Sequence, residues 1–195
     1  MRHLVITLHA AVACAAPVVA GNILVNPGFE SGDFTGWLPG AAPAATISTD
    51  SPRQGGFAAR WTAEGRSGVL HLEQYFAPPS AADITSISVW CRLGADHSPP
   101  VPISIRLHHS ATDFTQIALL PDQTWRQFDL TAMYDRQRPL IGIEAVSALF
   151  NQSDRGNVFL DDFQVNVVPG AHSGLTLAVA AALPVLRRRR RRGLD

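Results

Sequence analysis

Six residues in the middle of the sequence combine flat aromatic rings with planar hydrogen-bonding groups: Trp90, Tyr75, Arg92, Arg106, His108 and Glu144. Aromatic planes stack against the C–H faces of sugar rings, and planar polar side chains hydrogen-bond the hydroxyl groups. If the strands that carry these residues are neighbours in one sheet, the six side chains form a sugar-binding face. The alternative is that Trp90 and Tyr75 pack beneath a loop while the charged side chains face solvent.

The sequence contains no recognisable catalytic motif. Glu73 and Glu144 are acids of the type used in glycoside hydrolysis, but no local motif accompanies them. His108 and His109 are adjacent, so on a strand they point to opposite faces and are poorly placed to share a metal. The chain also lacks a nucleophile elbow and a phosphate-binding loop. We therefore predict a protein without enzymatic activity.

Short strands separated by turn residues account for most of the chain. The separators are rich in Gly, Pro, Asp and Ser, and no window has the periodicity of a convincing amphipathic helix. The predicted strands cover residues 44–49, 57–62, 68–76, 84–93, 102–108, 114–119, 125–131, 140–149 and 157–167. Many short strands with regular turns predict an all-β fold, a β-sandwich of the jelly-roll type.

Alternation within these strands separates core positions from surface positions, because successive side chains point to opposite faces of a strand. In 84–93, Cys91 belongs to the apolar set, whereas Trp90 and Arg92 belong to the other set. The apolar sets predict the core between two sheets. Cys91 is then a small buried residue, and it has no partner for a disulfide inside the domain.

The two ends of the predicted domain carry a recognisable combination of motifs. Residues 22–37, NILVNPGFESGDFTGW, join an apolar run to a Pro-Gly turn and end on a Gly-Trp pair. The last strand, NVFLDDFQVNV, carries an aspartate pair, and TWRQFDLT has a Trp-x-x-Phe spacing. In combination, residues 22–167 resemble the CenC-like carbohydrate-binding modules. The resemblance implies a galactose-binding-like jelly roll over residues 21–168, packing roles for Trp37 and Trp125, and polysaccharide as the partner.

The same resemblance implies a structural calcium site. Such modules often bind Ca²⁺ through a glutamate after the first strand and an aspartate in the last strand, which here are Glu30 and the pair Asp161 and Asp162. The period of two puts Asp161 on the face of Phe159 and Phe163, so we expect it to point toward the interior. A cation would offset the cost of burying this carboxylate, and oxygen ligands suit Ca²⁺. The alternative is that Asp161 accepts hydrogen bonds from turn amides and no metal binds.

Charge is distributed unevenly along the chain. Lys is absent, and of the sixteen basic residues one is Arg2 and six are Arg187 to Arg192, which leaves nine arginines between residues 22 and 168. Fifteen of the sixteen acidic residues lie in that stretch, so it carries about six net negative charges. An acidic body without a basic stripe argues against nucleic acid as a partner.

Residues 1–20 have the pattern of a secretory signal peptide. Arg2 precedes an apolar run from Leu4 to Ala16, and the small residues of Val18-Val19-Ala20 stand before Gly21 at the expected cleavage site. An alternative is a lipoprotein signal with Cys14 as the acylated residue. Both interpretations predict an exported protein.

Residues 169–195 consist of a breaker segment, an apolar stretch from Gly174 to Leu186 and the Arg187–Arg192 block. As a helix, the apolar stretch spans about 20 Å, less than the ~30 Å hydrocarbon core of a bilayer. This order resembles the PEP-CTERM sorting signals of Gram-negative bacteria, with Val168-Pro169 matching and Gly170-Ala171 replacing Glu-Pro. It implies transient membrane anchoring by a short apolar helix, an exosortase-type processing enzyme, and release to the surface or extracellular matrix.

Taken together, these patterns predict an exported, non-catalytic surface protein of a Gram-negative bacterium whose jelly-roll domain binds cell-surface or matrix polysaccharide. The alternative is a structural or adhesive envelope protein that has the same fold and no sugar site. An aromatic-lined groove that includes Trp90 would favour the first hypothesis. A loop over Trp90, with a flat and purely charged sheet, would favour the second.

Overall fold

The computed structural model describes residues 19–40, 45–62, 69, 71–96, 103–147 and 156–168. These residues form eleven strands and one short 3-10 helix, Thr131–Met133. The strands are β1 Gly21–Asn22, β2 Leu38–Pro39, β3 Thr46–Ser48, β4 Ala58–Thr62, β5 His71–Tyr75, β6 Ile84–Leu93, β7 Ile103–His108, β8 Phe114–Leu119, β9 Arg126–Asp129, β10 Gly142–Ser147 and β11 Asn157–Val167. The predicted all-β architecture is confirmed.

The strands build two antiparallel sheets that pack as a sandwich. The front sheet has the order β2-β5-β10-β7-β8, and the back sheet has the order β3-β4-β11-β6-β9, with β1 also paired to β11. Consecutive strands such as β4 and β5, or β6 and β7, lie in different sheets, so the chain crosses repeatedly between the two layers. This crossing is what brings residues far apart in sequence onto the same sheet.

Nine of these strands fall where alternation predicts them. The predicted bounds 84–93, 114–119 and 157–167 match β6, β8 and β11. The other six strands lie within their predicted ranges, and some end residues of those ranges are outside the described part of the chain. The two strands that were not predicted, β1 and β2, have two residues each. Such short strands carry too few side chains to display any period.

The core lies between the sheets and contains the apolar sets identified by alternation. On β6, the side chains of Ile87, Val89 and Cys91 are fully buried, as predicted. Burial raises the pKa of the Cys91 thiol far above its ordinary range, because the thiolate would lose its hydration there. Cys91 is a free cysteine with an unreactive, packed side chain.

The opening motif forms an aromatic cluster that closes one end of the core. Phe29 is fully buried, with its ring centroid 5.6 Å from that of Trp37 and 6.2 Å from that of Phe163. Asn26 and Phe29 both have positive φ angles, which the tight turn after the apolar run requires. The Trp37 indole donates to the Asn26 carbonyl at 3.1 Å, so the loop is tied back onto its own start.

Two amide side chains attach the first segment to the sheets in place of regular strand pairing. The Gln74 side chain accepts from the Val25 amide at 2.8 Å and donates to the Val25 carbonyl at 2.9 Å. The Asn22 side chain does the same for β11, donating to the Phe163 carbonyl and accepting from the Val165 amide. Backbone groups away from water need hydrogen-bond partners, and here these two side chains supply the bonds that a neighbouring strand would otherwise make.

A bulge in β11 reverses the side-chain phase of the last strand. Pairing with β6 shifts register between Asp161 and Gln164, and Asp162 has a φ of 45°. Phe163 and Val165 therefore enter the core, whereas Asp161 lies on the outer side of the back sheet, opposite Trp90. The prediction that Asp161 shares the interior face with Phe163 is wrong, because the bulge adds a residue to the period of two.

The proposed leader and tail lie almost entirely outside the described residues, which begin at Val19 and end at Val168. The signal peptide, the apolar stretch and the Arg block therefore stay predictions. Within the part of the chain that the structure describes, no helix is long and apolar enough to cross a membrane.

Replacing Gln74 by Met is expected to lower the free energy of unfolding by about 2 kcal/mol, because the Val25 amide and carbonyl lose the hydrogen bonds that the buried Gln74 side chain provides. Chemical denaturation measures this loss. The matched control is Gln127→Met on the exposed β9, where we expect a change of about 0.5 kcal/mol or less. Equal losses in the two variants would show that the Gln74 hydrogen bonds do not stabilise the opening segment.

Candidate functional site

The outward side chains of the front sheet, which we call the front face, form three rows across the strands. Register places them as follows: Tyr75, Gly142, His108 and Phe114 in the first row; Leu38, Glu73, Glu144, Arg106 and Gln116 in the second; His71, Val146, Ser104 and Ala118 in the third. Since neighbouring strands are about 4.8 Å apart, the four adjacent strands β5, β10, β7 and β8 span about 14 Å. Four of the six predicted sugar-binding residues belong to this face.

The first row is an aromatic platform with two accessible ends. The His108 ring is 4% exposed and lies between Tyr75 and Phe114, with ring centroids 5.3 Å and 5.6 Å away. Tyr75 and Phe114 are 43% and 37% exposed. The row depends on Gly142, where a Cβ would lie 2.7 Å from the Tyr75 ring and 3.0 Å from a backbone oxygen. A side chain at this position would separate the rings.

The second row holds its charged groups in fixed positions. The Arg106 guanidinium donates to Glu144 at 3.3 Å and to Gln116 at 3.0 Å, and its central carbon lies 4.5 Å from the Phe114 ring centroid. Glu144 is 6% exposed, and its Oε2 is also 3.0 Å from His108 Nε2. These contacts link the polar row to the aromatic row and restrict the rotamers of both.

Burial raises the pKa of the Tyr75 hydroxyl, and the negative charge of Glu73 and a hydrogen bond to it contribute in the same direction. Tyr75 is therefore neutral at physiological pH, and its side chain is half-exposed. A neutral phenol on an apolar ring is suited to contact both the C–H face and the hydroxyl groups of a sugar.

Trp90 and Arg92 do not belong to the front face. Both lie on β6 in the back sheet, whose outer side points in the opposite direction, so the six predicted residues do not form one surface. The Arg53 guanidinium stacks on Trp90 at 4.0 Å from the ring centroid, and Arg92 stacks on Phe159 at 3.9 Å. Trp90 is therefore covered by the segment around Arg53, as the alternative interpretation proposed, whereas the front face is not purely charged.

Several front-face residues were not singled out from the sequence. Phe114 and Gln116 alternate with Ile117 and Leu119 on β8, so the period of two already places them together on one side. On β5 the period of two likewise places His71 on one side with Glu73, which the sequence suggested only as an acid of the type used in hydrolysis. This alternation was the signal that the sequence offered. It could not show that β5, β10, β7 and β8 are neighbours in one sheet.

The predicted calcium ligands surround the Pro27-Gly28 turn on the other side of the molecule. A Cβ on Gly28 would lie 3.1 Å from Asp162 Oδ1, 3.4 Å from Asp161 Oδ1 and 3.8 Å from Glu30 Cγ. The Glu30 carboxylate accepts from the backbone amides of Gly56 and Phe57. The structure thus brings the three acidic residues to one turn, although Glu30 is bonded to a neighbouring loop.

Asp161 is the most deeply buried member of this group. Its carboxylate is fully buried and accepts from the backbone amides of Arg53, Gln54 and Asp162. Burial and the negative charge of Asp162 raise its pKa to about 7, although these amides act in the opposite direction. The donor set fits a hard cation, because oxygen ligands suit Ca²⁺ and a bound cation would relieve the repulsion between the two aspartates. The amide hydrogen bonds of the alternative are present as well, and calcium stays a prediction.

Comparisons with known proteins agree with this architecture. No protein-family model matches the chain, and no curated protein matches it. Among solved structures, TmCBM61 in complex with beta-1,4-galactotriose is 18% identical with a TM-score of 0.54, over 74% of this chain and 97% of that chain. The fold is a jelly roll, an antiparallel β-sandwich similar to that of this solved structure.

Two further structures extend the comparison. The CBM22-1 xylan-binding domain of Paenibacillus barcinonensis Xyn10C is 17% identical with a TM-score of 0.50, over 78% of this chain and 98% of that domain. The arabinose-bound α-L-arabinofuranosidase MgGH51 is 13% identical with a TM-score of 0.54, over 74% of this chain but only 26% of the enzyme. At these identities the likeness shows the fold alone, and the CenC-like character stays a prediction.

Ca²⁺ is expected to stabilise the full chain, and more so at pH 8 than at pH 5. Without metal, the pKa of Asp161 is raised from 3.8 to about 7 on folding, so the stability from its protonation is complete below pH 3.8 and is lost as the pH rises through 7. Ca²⁺ takes the place of the proton at high pH and competes with it at low pH. At a hundredfold excess over its dissociation constant, we expect a gain of about 2.7 kcal/mol.

Thermal unfolding in CaCl₂ and in EDTA measures this effect, with Asp161→Asn expected to lose the calcium response. Asp135→Asn, which removes an exposed carboxylate from a distant loop, is the matched control and should keep it. A melting temperature that is unchanged by Ca²⁺ at pH 8 would show that these residues do not bind calcium. An equal calcium response in Asp161→Asn would place the metal elsewhere.

Proposed function

We propose that the domain binds polysaccharide without catalysis, through the front face. The observation that carries this proposal is the aromatic row, in which Tyr75 and Phe114 are exposed on either side of the buried His108 ring. Exposed aromatic rings on a rigid sheet offer apolar planes for sugar rings, and large exposed apolar groups on a soluble protein commonly mark a binding surface.

Hydrogen-bonding groups stand directly beside these rings. Arg106, Glu144 and Gln116 lie in the adjacent row, where their mutual hydrogen bonds hold the planar groups in position before a ligand arrives. Side chains that are already ordered lose less conformational entropy on binding than free ones. Preorganised polar groups next to aromatic planes are the combination that recognises hydroxyl-rich, weakly apolar ligands such as glycans.

The similar structures suggest which glycans to try first. One of them holds beta-1,4-galactotriose, and another is a xylan-binding domain. We propose neutral polysaccharides of these two kinds as the first candidate ligands for this chain, together with cell-surface and matrix polysaccharide of the producing bacterium. The net negative charge of residues 22–168 also disfavours strongly acidic glycans, which it would repel.

Export and envelope attachment complete the proposal and rest on the sequence alone. The signal-peptide pattern of residues 1–20 supports export, and the apolar stretch with its Arg block supports transient retention in the membrane before release.

Mass spectrometry of the protein recovered from cell envelope and medium should find a mature amino terminus at Gly21. An intact Met1 in both fractions would contradict export through this leader.

Polysaccharide binding is expected to weaken at least about tenfold, equivalent to 1.4 kcal/mol, when Tyr75 or Phe114 is replaced by Ala. Calorimetric titration of the full chain with soluble galactan and xylan measures the affinity, with the unfolding temperature as a check on the fold. Met133→Ala is the matched control, because Met133 is 53% exposed and lies on the 3-10 helix, outside the front sheet.

Trp90→Ala distinguishes the two sides of the sandwich. Because Trp90 lies on the back sheet beneath Arg53, its replacement should leave glycan affinity unchanged if the front face binds the ligand. Loss of binding in Trp90→Ala, with retention in Tyr75→Ala, would move the site to the back sheet. If no polysaccharide in the panel binds, the structural or adhesive role becomes the favoured function.

A further inference from the structure

A cluster of potential metal ligands lies on the front face beside the aromatic row. It consists of His71 and Glu73 on β5 and Glu144 on β10, and one ligand atom from each lies within 4.8 Å of the other two. This cluster is distinct from the carboxylates around the Pro27-Gly28 turn, which lie against the back sheet. In the described part of the chain, it is the one group of three or more such residues this close together.

The spacing of the cluster is close to that of a metal-binding site. His71 Nδ1 and Glu144 Oε1 are 3.7 Å apart, which is too long for a hydrogen bond. Nitrogen and oxygen ligands lie about 2.0–2.2 Å from Zn²⁺, so two ligands of a tetrahedral site are separated by about 3.4 Å. The separation of His71 Nδ1 and Glu144 Oε1 is thus close to that of two ligands on one Zn²⁺.

Glu144 has the features of a preorganised ligand. Its carboxylate is more than nine-tenths buried, and Oε2 is held by Arg106 and His108. Oε1 accepts no hydrogen bond from the described residues and is the oxygen nearest to His71. In metal sites the second oxygen of a ligating carboxylate is commonly anchored in this way, which leaves the first oxygen free for the metal.

The His71 ring is confined by the neighbouring backbone. Gly40 donates its amide to the His71 carbonyl at 2.9 Å, and a Cβ on Gly40 would lie 2.3 Å from His71 Cδ2 and 2.5 Å from Nε2. Only glycine leaves room for the ring at this place. The contact holds the Nε2 edge against residue 40 while Nδ1 lies on the Glu144 side.

The charges of the cluster also call for a cation. Glu73 and Glu144 are directly opposite each other in the β5–β10 pairing, and like charges at such a position are destabilising. Arg106 forms an ion pair with Glu144 from the β7 side. Glu73, by contrast, has no ion-pair partner among the described residues. A divalent cation between the two carboxylates would turn this repulsion into attraction.

We propose that His71, Glu73 and Glu144 bind a first-row divalent metal of the Zn²⁺ type. One imidazole nitrogen with two carboxylate oxygens suits this class of cation better than Ca²⁺, which prefers oxygen ligands alone. Three protein ligands leave a coordination position for water or another small ligand. The proposal does not rest on polysaccharide binding, although the two sites share Glu144, and it can be tested with the metal alone.

Calorimetric titration of the EDTA-treated and dialysed full chain with ZnCl₂, in excess Ca²⁺ to occupy any oxygen-only site, tests the proposal. We expect one Zn²⁺ to bind per chain, and His71→Gln and Glu73→Gln each to weaken the affinity by about tenfold or more. Asp135→Asn, which removes an exposed carboxylate elsewhere, should bind as the unchanged chain does. Unfolding temperatures of all variants verify that the sheet is intact.

Co²⁺ provides a second measurement that a purely structural role would not affect. Bound through one nitrogen and two oxygens, Co²⁺ should give a visible absorption band that is displaced by Zn²⁺ and is absent in His71→Gln. Absence of saturable Zn²⁺ binding would overturn the proposal. Binding of unchanged affinity in both His71→Gln and Glu73→Gln would also overturn it, because the metal would then lie elsewhere.

Discussion

The conformation of Asp162 decides which side of the last strand enters the core. Strand β11 pairs with β1, β4 and β6 and is therefore central to the back sheet. With a φ of 45° at Asp162, Phe163 joins Phe29 and Trp37 inside, and Asp161 remains outside beneath the segment around Arg53. An unbroken strand would exchange these roles, placing a carboxylate in the aromatic cluster. The bulge thus makes an apolar core and a buried acidic group compatible in a single strand.

The strands were predictable because their chemistry is local, whereas the site was only partly predictable because it depends on topology. The bounds of β6, β8 and β11 were predictable because turn residues flank each strand and apolar residues recur at every second position over part of its length. The same alternation correctly placed Arg106 and His108 away from the core. It could not tell that Trp90 faces the opposite side of the sandwich, because the period describes a strand and not the sheet that receives it. The positive φ of Asp162 likewise leaves no trace in the hydrophobic pattern, so the face assigned to Asp161 was wrong.

The two oxygens of Glu144 connect the features of the front face. Oε2 holds Arg106 and His108, and through them it orders the aromatic row of Tyr75 and Phe114. Oε1 is directed toward His71 on the other side. A single buried carboxylate therefore positions the groups proposed to contact a glycan and supplies a ligand of the proposed metal cluster. Changes at Glu144 would disturb both, which is why the flanking residues are the informative ones to vary.

The pairing of Gly21 with Val167 has a consequence for how the domain can be used. Because β1 and β11 are antiparallel neighbours, the first and last strands bring the two ends of the sandwich side by side. The Val168 amide, bonded to the Asp83 carbonyl, fixes the exit of the chain at the same edge. A domain whose two ends lie side by side can be inserted into a surface loop of another protein without distorting the fold of either one.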